Sequence, residues 1–295
     1  MKMRILITGG AGCLGSNLIE YYLPKGNEIC VIDNFVTGKR EVVPEKDNLE
    51  VIEGSILDKE LVSEVFKKFS PTHVIHSAAS YKDPNDWIED VNTNVLGTIN
   101  IVNASMDKNV EKLVNFQTAL CYGRPTEIPI TISHSTNPFT SYGISKTAGE
   151  SYLINSGLQT ISLRLANICG PRLSIGPIPT FYKRLKENKD CFCSDTKRDF
   201  LDMSDFLSFM DIALNRDSGS GIYNISTGEG RTISEIFREV ANHLNINDAK
   251  APLVPAGDDD ISEVVLDPSQ TEKIFNWKAK INFEQTIKNQ LKWYD

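Results

Sequence analysis

A tyrosine and a lysine four residues apart are the side chains of this sequence best suited to acid–base chemistry. Tyr142 and Lys146 stand in Tyr-Gly-Ile-Ser-Lys, and a spacing of four places both side chains on one face of a helix. A neighbouring lysine charge favours the phenolate, so the tyrosine pKa, ordinarily about 10, could fall toward neutrality. The tyrosine could then take a proton from a substrate hydroxyl. This spacing is common, and a pair of residues on a helix surface is the alternative interpretation.

Thr118 is a third candidate, because its hydroxyl could act on the same substrate as Tyr142 and Lys146. It lies in Phe116-Gln-Thr118-Ala-Leu-Cys-Tyr-Gly123, at the end of a predicted strand and twenty-four residues before Tyr142. From there it could hydrogen-bond the oxygen that loses its proton to the tyrosine. The alternative is an ordinary β-branched strand residue.

A glycine-rich turn near the start of the chain predicts a dinucleotide site. The predicted strand Arg4–Thr8 runs into Gly9-Gly-Ala-Gly12-Cys-Leu-Gly15, and a helical pattern follows. Glycine allows a tight turn and lets backbone N–H groups approach a pyrophosphate. The spacing is G-x-x-G-x-x-G rather than G-x-G-x-x-G, so the flanking strand and helix carry the prediction.

Asp33 makes NAD the expected cofactor. It ends the second predicted strand, eighteen residues after Gly15, where a carboxylate accepts from the adenosine ribose hydroxyls and repels a 2′-phosphate. Lys39 and Arg40 follow closely and keep NADP open as the alternative. Two further strand exits fit the same groove, Glu53–Asp58 beside the adenine and His76–Ala79 beside the ribose or pyrophosphate. The tyrosine, lysine and threonine beside such a cofactor predict a hydride-transfer enzyme.

Alternating strand and helix patterns position these residues and predict an α/β fold. The expected strands are Arg4–Thr8, Glu28–Asp33, Leu49–Glu53, His73–His76, Lys112–Gln117 and Thr160–Leu165. The expected helices between them are Cys13–Lys25, Lys59–Lys68, Trp87–Asn109 and Ser141–Ser156. With right-handed crossovers these elements give a doubly wound parallel Rossmann sheet, placed at residues 1–166.

A smaller mixed C-terminal substrate lobe is expected over residues 167–295, with some segments returning to the Rossmann domain. Prolines interrupt its early part, and the acidic run Asp258-Asp-Asp260 lies in its later part. Its expected helices are Pro179–Glu187, Thr232–Leu244 and Asn282–Tyr294.

Composition excludes several classes of function. The chain has 295 residues, a net charge of −8 and a pI near 5.2, so no general positive field would attract nucleic acid or an anionic membrane. No apolar run approaches a membrane span, and Met3–Ile7 is interpreted as a buried strand rather than a signal peptide. The six scattered cysteines are expected to be free thiols in a reducing cytoplasm, with no metal site.

Taken in order, these motifs resemble the extended short-chain dehydrogenases/reductases of the NAD-dependent nucleotide-sugar epimerase/dehydratase family. Within that family, Tyr81–Trp87 and Gln117–Gly123 resemble epimerase-like proteins of bacterial lipopolysaccharide O-antigen sugar pathways. The matching segments are Thr8–Gly15, Asp33–Gly38, His76–Ala79, Asn94–Thr98, Tyr142–Lys146, Leu163–Arg172, Arg198–Phe200, Tyr223–Gly228 and Asp267–Ser269.

The resemblance implies a role for each matching residue. Thr118, Tyr142 and Lys146 would be catalytic. The implied cofactor residues are Gly9, Gly12, Cys13, Leu14, Gly15, Asp33, Asn34, Thr37, Gly38, Ser55, Ile56, Ala78, Ala79, Tyr81, Asn94, Tyr142, Lys146 and Ala166. A nucleotide-diphosphate sugar would contact Thr118, Asn167, Arg198 and Val264. The family's homodimer would pair the helices containing Asn94–Ser105 and Tyr142–Ser156 in a four-helix bundle.

The residues after Thr118 indicate which of the family's reactions to expect. Ala119 and Leu120 replace the acidic pair of the 4,6-dehydratases, so dehydration is disfavoured. Cys121 is displaced by one residue from the catalytic cysteine of other relatives, which points its side chain the opposite way in an extended segment. C4 epimerisation through a 4-keto sugar is the favoured reaction. The alternatives are a 4-keto nucleotide-sugar reductase and a non-catalytic dinucleotide-binding protein.

Substrate contacts depart from the family's usual pattern. The arginine that usually clamps the diphosphate is replaced near Gly257–Asp260, which implies a different substrate pose, weaker binding, or compensation from Arg172, Lys183 or Arg184. Val264 stands where a small residue admits a 2-acetamido group, although an ordinary strand valine is the alternative.

Overall fold

The chain folds into two compact units. The computed structural model describes residues 2–246, 248–257 and 260–295. The first unit runs through Gly123 and includes Ser135–Arg164 and Phe209–Tyr223. The second comprises Arg124–His134, Leu165–Ser208 and the chain from Asn224 onward. Of the predicted acidic run, Asp258 and Asp259 lie outside the described residues.

A seven-stranded sheet confirms the predicted Rossmann arrangement. Its order is β11-β6-β5-β4-β1-β2-β3, and the pairs β1–β2, β2–β3, β1–β4 and β4–β5 are parallel. The strands are β1 Arg4–Thr8, β2 Glu28–Asp33, β3 Leu49–Glu53, β4 His73–His76, β5 Lys112–Thr118, β6 Thr160–Leu165 and β11 Gly221–Ile225. The winding direction reverses between β1 and β4, and ligands of such sheets bind in the crevice at this point.

The helices that follow these strands agree closely with the predicted ones. They are α1 Cys13–Tyr22, α2 Lys59–Phe69, α3 Trp87–Val91, α4 Thr98–Asp107 and α5 Ser141–Ile154. Side chains fix several starts: Asp58 accepts from Leu61 N at the start of α2, and Thr140 accepts from Gly143 N at the start of α5. The predicted first helix ends early, because Leu23–Lys25, which contains Pro24, forms a 3₁₀ turn.

The predicted continuous helix Trp87–Asn109 is wrong in its middle. Asn92–Gly97 forms a π-helix between α3 and α4. A π-helix has hydrogen bonds between residues five apart, and such turns are rare insertions within α-helices that the sequence pattern did not indicate. Asn94 lies in this π-helix, and its side chain is buried.

Apolar residues from the strands form the core of the first unit. Ile5, Leu6 and Ile7 of β1 are fully buried, as expected for a parallel sheet covered on both faces. One cluster packs strand residues such as Leu6 and Val74 against helix residues including Phe66 and Ile101.

The second unit is mixed, as predicted. Its helices are α6 Pro177–Lys186, α7 Met203–Ala213, which also extends into the first unit, α8 Ile233–His243, α9 Ser269–Phe275 and α10 Phe283–Tyr294. Its short strands are β7 Asn167–Cys169, β8 Cys193–Ser194, β9 Lys197–Arg198, β10 Phe200–Asp202, β12 Arg231–Thr232, β13 Leu253–Val254 and β14 Glu263–Val264. Strand β9 pairs antiparallel with β12 and parallel with β14. Apolar residues of α6, α8 and α10 share one core cluster.

A buried ion pair fastens α5 to β6 inside the first unit. Arg164 Nη2 lies 2.7 Å from Glu150 Oε2, and the two side chains are only 7% and 4% exposed. Ser162 donates to Glu150 Oε1 at 2.6 Å, and the Arg164 guanidinium lies over the Tyr122 ring at 4.8 Å. These contacts compensate both charges. Either charge alone in this interior would be strongly unfavourable.

Glu150→Gln should therefore destabilise the protein strongly. The substitution keeps the side-chain size but leaves the Arg164 charge unpaired, which should lower the free energy of unfolding by about 3 kcal/mol. Urea unfolding followed by circular dichroism measures the loss. Glu50→Gln, which removes the exposed partner of Lys68, is the control and should cost less than about 1 kcal/mol. Equal losses in the two variants would contradict the role given to the buried pair.

Candidate active site

The glycine turn after β1 is shaped by contacts that exclude side chains. Gly9 has φ +68°, and a Cβ there would lie 2.8 Å from the Ala78 backbone. A Cβ on Gly15 would lie 2.3 Å from the carbonyl oxygen of Gly9, so α1 packs directly on the turn. At Gly12, the residue immediately before α1, a Cβ would meet only that same oxygen, at 3.3 Å. The turn thus leaves a cradle beside Gly12 into which a pyrophosphate fits.

Asp33 is fixed at the carboxyl end of β2, beside this turn. Its Oδ2 accepts from Ala11 N at 2.8 Å and its Oδ1 from Phe35 N at 2.8 Å, and the side chain is 7% exposed. Each oxygen retains acceptor capacity, so the carboxylate can receive ribose hydroxyls without moving. Gly38 closes over the same place, since a Cβ there would meet the Ala11 Cβ at 2.7 Å.

The remaining predicted cofactor residues lie mostly at the same edge of the sheet. Cys13 and Leu14 form the first turn of α1, and Tyr81 hydrogen-bonds Thr37. Ser55 accepts from Leu57 N after β3, while the next residue, Ile56, is buried against the π-helix. Of the predicted cofactor residues, Ala166 belongs to the second unit. The others belong to the first unit: Gly9, Gly12, Cys13, Leu14, Gly15, Asp33, Asn34, Thr37, Gly38, Ser55, Ile56, Ala78, Ala79, Tyr81, Asn94, Tyr142 and Lys146.

Asn94 joins the exit of β4 to helix α5. Its side-chain oxygen accepts from Ser80 N at 3.0 Å, and its amide nitrogen donates to Ser80 O at 2.9 Å and to Ser145 Oγ at 3.0 Å. Ser145 Oγ in turn donates to the carbonyl of Tyr142 at 3.1 Å. Helix α5 comes very close, because a Cβ on Gly149 would lie 2.4 Å from the Asn94 carbonyl oxygen. Tyr142 and Lys146, both on α5, are therefore tied to the exit of β4.

The predicted catalytic residues come from adjacent elements of the first unit. Thr118 ends β5, and its Oγ1 accepts from Leu120 N at 3.1 Å, which leaves the hydroxyl proton for a substrate oxygen. Lys146 is 6% exposed on α5, and its carbonyl accepts from Gln117 Nε2 at 3.0 Å. Gln117 thereby links β5 to α5 one residue before Thr118. The sequence prediction missed this residue, which only its position beside Thr118 could have indicated.

The protein's own groups set opposite pKa shifts on Tyr142 and Lys146. Burial lowers the pKa of Lys146 to about 8, opposed by the charge of Glu150 one turn along α5. Burial raises the pKa of Tyr142, and Tyr81 and Asp90 raise it further. The Tyr81 ring lies edge-on to Tyr142, with the ring centroids 6.3 Å apart. The shift of Tyr142 is opposite to the lowering predicted from Lys146.

The residues after Thr118 provide no further acid or base. Ala119 and Leu120 carry no ionisable group, and Cys121 is completely buried. Burial, the largest cause, raises the pKa of the Cys121 thiol to about 12, so it remains protonated at neutral pH. Elimination or carbon deprotonation by these three side chains is therefore disfavoured.

The second unit brings the other three predicted substrate residues together. Asn167 Nδ2 donates to Asp199 O at 3.0 Å, and Val264 of β14 pairs with Arg198 of β9. Arg198 Nη1 donates to Ile261 O at 2.7 Å, and its Nη2 lies 3.2 Å from Asp260 Oδ1. The arginine expected to meet a diphosphate is thus paired with a carboxylate.

The described part of the chain holds no group of three potential metal ligands among its His, Cys, Asp and Glu side chains. No helix there is both long and apolar enough to cross a membrane. All six cysteines are free thiols.

A family model decides the class of this protein. The model of the NAD dependent epimerase/dehydratase family matches residues 5–226, about three quarters of the chain. The chain belongs to this family. The predicted family and the NAD cofactor are confirmed, and the predicted enzyme class, an NAD-dependent epimerase of nucleotide sugars, is confirmed at the level of the family.

Individual members of the family are similar over the whole chain. The Bordetella bronchiseptica enzyme WbmG, solved with NAD and also with NAD and UDP, is 60% identical with a TM-score of 0.97, covering 100% of this chain and 94% of that one. WbmH from the same organism, solved with NAD+, is 39% identical with a TM-score of 0.95, covering 100% and 98%. A putative UDP-glucose 4-epimerase of Methanocaldococcus jannaschii is 29% identical, covering 98% of this chain and 97% of the relative.

Lys146→Met should show the energetic cost of keeping this lysine buried. With a pKa near 8 when folded and near 10.5 when unfolded, Lys146 resists burial while charged, so the variant should be more stable at pH 7 by about 3 kcal/mol at most. As pH rises from 8 to 10 the folded protein loses this proton before the unfolded chain does, and the advantage should shrink. Unfolding free energies of the two proteins across this range provide the measurement. An advantage that does not change with pH would contradict the lowered pKa.

Proposed function

We propose that this protein is an NAD-dependent UDP-sugar 4-epimerase that acts through a transient 4-keto sugar. The observation that carries the proposal is the set of Thr118, Tyr142 and Lys146 at the sheet edge that bears the glycine turn, with no acidic side chain directly after Thr118. Epimerisation needs one proton carrier used in both directions, and this set supplies one.

The residues divide the chemistry between them. Bound NAD supplies the acceptor and then the donor of the C4 hydride. Tyr142 takes the C4 hydroxyl proton as the carbon is oxidised and returns it when the keto sugar is reduced on its other face. Thr118 donates to the same oxygen and holds it as charge develops. Lys146 contributes a positive charge near the phenol, against the effect of burial on the Tyr142 pKa.

The substrate assignment rests on the second unit and on the relatives. WbmG has been solved with UDP, and the curated relatives include UDP-glucose 4-epimerases, which supports a UDP-sugar. In the second unit Asn167 and Arg198 would contact the diphosphate. Val264 is buried beside Arg198, and its moderate size favours a 2-acetamido sugar. The similarity to WbmG, together with the predicted likeness to O-antigen proteins, supports a place in bacterial surface polysaccharide synthesis.

Incubation with UDP-, GDP- and dTDP-sugars, including 2-acetamido ones, tests the reaction, with products identified by NMR. A stereoisomer of unchanged mass, formed without added NADH, is expected. Tyr142→Phe should lower kcat about a thousand-fold, because the proton carrier is lost while the cofactor cradle remains. Tyr152→Phe, an exposed tyrosine on the same helix, is the matched control and should retain full activity.

Other outcomes point elsewhere. Net consumption of NADH with keto sugars would indicate the reductase, and NAD binding without turnover of any sugar would favour the non-catalytic binding protein. Full activity of Tyr142→Phe would refute the mechanism itself.

We also propose a cytoplasmic homodimer. Two helical segments of the first unit expose large apolar side chains that a second copy could cover. They are Trp87, Ile88, Val91 and Leu96 on α3 and the π-helix, and Ile144 and Tyr152 on α5. Such exposed groups on neighbouring helices suit a four-helix bundle between copies. Six free thiols agree with a reducing compartment.

Ile144→Glu should shift the protein from dimer to monomer. Ile144 is 52% exposed, and a charge there would be buried without a partner in the bundle. Light scattering coupled to size-exclusion chromatography measures the mass. Ile274→Glu, the same change at a similarly exposed isoleucine on α9, should leave the mass unaltered. A monomeric wild type, or a dimer unaffected by Ile144→Glu, would contradict this interface.

A further inference from the structure

His76 is a buried histidine with hydrogen-bond partners on both ring nitrogens. It ends β4, and its side chain is 1% exposed. Nδ1 lies 2.8 Å from Thr8 Oγ1 at the end of β1, and Nε2 lies 2.9 Å from Thr98 Oγ1 at the start of α4. The proposed mechanism gives this side chain no role.

Neighbouring hydrogen bonds determine which atom is the donor in each hydrogen bond of the series Thr8–His76–Thr98. Thr98 Oγ1 donates to the Asn94 carbonyl at 2.7 Å, so it must accept from His76 Nε2. His76 Nδ1 is then an acceptor, and Thr8 Oγ1 donates to it. The Thr8 oxygen itself accepts from Ala78 N at 3.1 Å and from the preceding backbone N–H at 3.2 Å. Only the neutral Nε2–H tautomer of His76 satisfies all of these bonds.

At each end, the hydrogen-bonded series Thr8–His76–Thr98 contacts a part of the candidate active site. At one end, the Thr8 hydroxyl holds the backbone of Ala78, which Gly9 approaches so closely that no Cβ would fit. At the other end, Asn94 bonds Ser80 and, through Ser145, the segment that bears Tyr142. A protonated ring would lose its acceptor and break the first link. Burial lowers the pKa of His76 to about 3, with the Lys146 charge adding to the effect, so the ring stays neutral at working pH.

We propose that His76 is a positioning residue that holds the NAD-binding backbone at Ala78 in register with Asn94 and, through it, with the catalytic helix. This role rests on the proposed function only for its effect on turnover, because NAD binding is tested without any sugar. Without the imidazole, two buried hydroxyls lose a partner, and the loop and the π-helix lose their fixed spacing.

NAD affinity measured by calorimetry on NAD-stripped protein tests the proposal. His76→Phe fills the same space without hydrogen bonds, and Thr98→Val removes only the receiving hydroxyl. Each should weaken NAD binding about ten-fold. Both substitutions break the same hydrogen bond, between His76 Nε2 and Thr98 Oγ1. The double variant should therefore bind NAD little more weakly than the worse single variant. His76→Gln, which retains one donor and one acceptor, should recover part of the affinity.

His73→Phe is the matched control. This second histidine begins the same strand, is also buried, and bonds Thr72 rather than the chain described above. It should lower the melting temperature while leaving NAD affinity unchanged. Loss of stability in His76→Phe and Thr98→Val with wild-type NAD affinity would overturn the proposal, as would additive effects in the double variant. Failure of every sugar in the panel would refute the proposed reaction and leave this binding result intact.

Discussion

The close approach of the first and fourth strand ends is the constraint on which the rest of this structure depends. Gly9 turns away from β1 with its α-carbon against the Ala78 backbone, and no residue with a side chain fits there. The helix after β1 leaves on one side of the sheet and the π-helix segment after β4 leads to the other, so a crevice opens between them. The glycine turn, Asp33 beside it and helix α5 all take their places from this junction.

Buried polar contacts hold helix α5 to that junction. Gln117 fastens it to β5, Glu150 fastens it to β6, and Asn94 fastens it to the exit of β4. These contacts are satisfied within the protein, which keeps the frame rigid. Burial disfavours the charged form of both Tyr142 and Lys146 on this helix. Perturbed pKa values are frequent at functional sites, which agrees with the role proposed for these two side chains.

Local sequence patterns predicted the elements of the first unit well. Five of the six predicted strands have the observed bounds, because β-branched runs between glycines and polar turns are local signals. The π-helix, α7 and the short strands of the second unit escaped, since they depend on partners far along the chain. The same holds for Gln117 and His76, whose roles arise from bonds to α5 and to α4. Burial, which no spacing reveals, raises the pKa of Tyr142.

The pairing of Arg198 with Asp260 has a consequence for how a ligand arrives. The chain carries a net charge of −8, and Arg198, the arginine proposed to contact an anionic diphosphate, already has its charge compensated. Long-range attraction would therefore contribute little to the encounter, and the general field repels an anion. Added salt would screen that repulsion. Binding of the ligand would then depend on short-range contacts and on the replacement of Asp260 by the anionic ligand as the partner of Arg198.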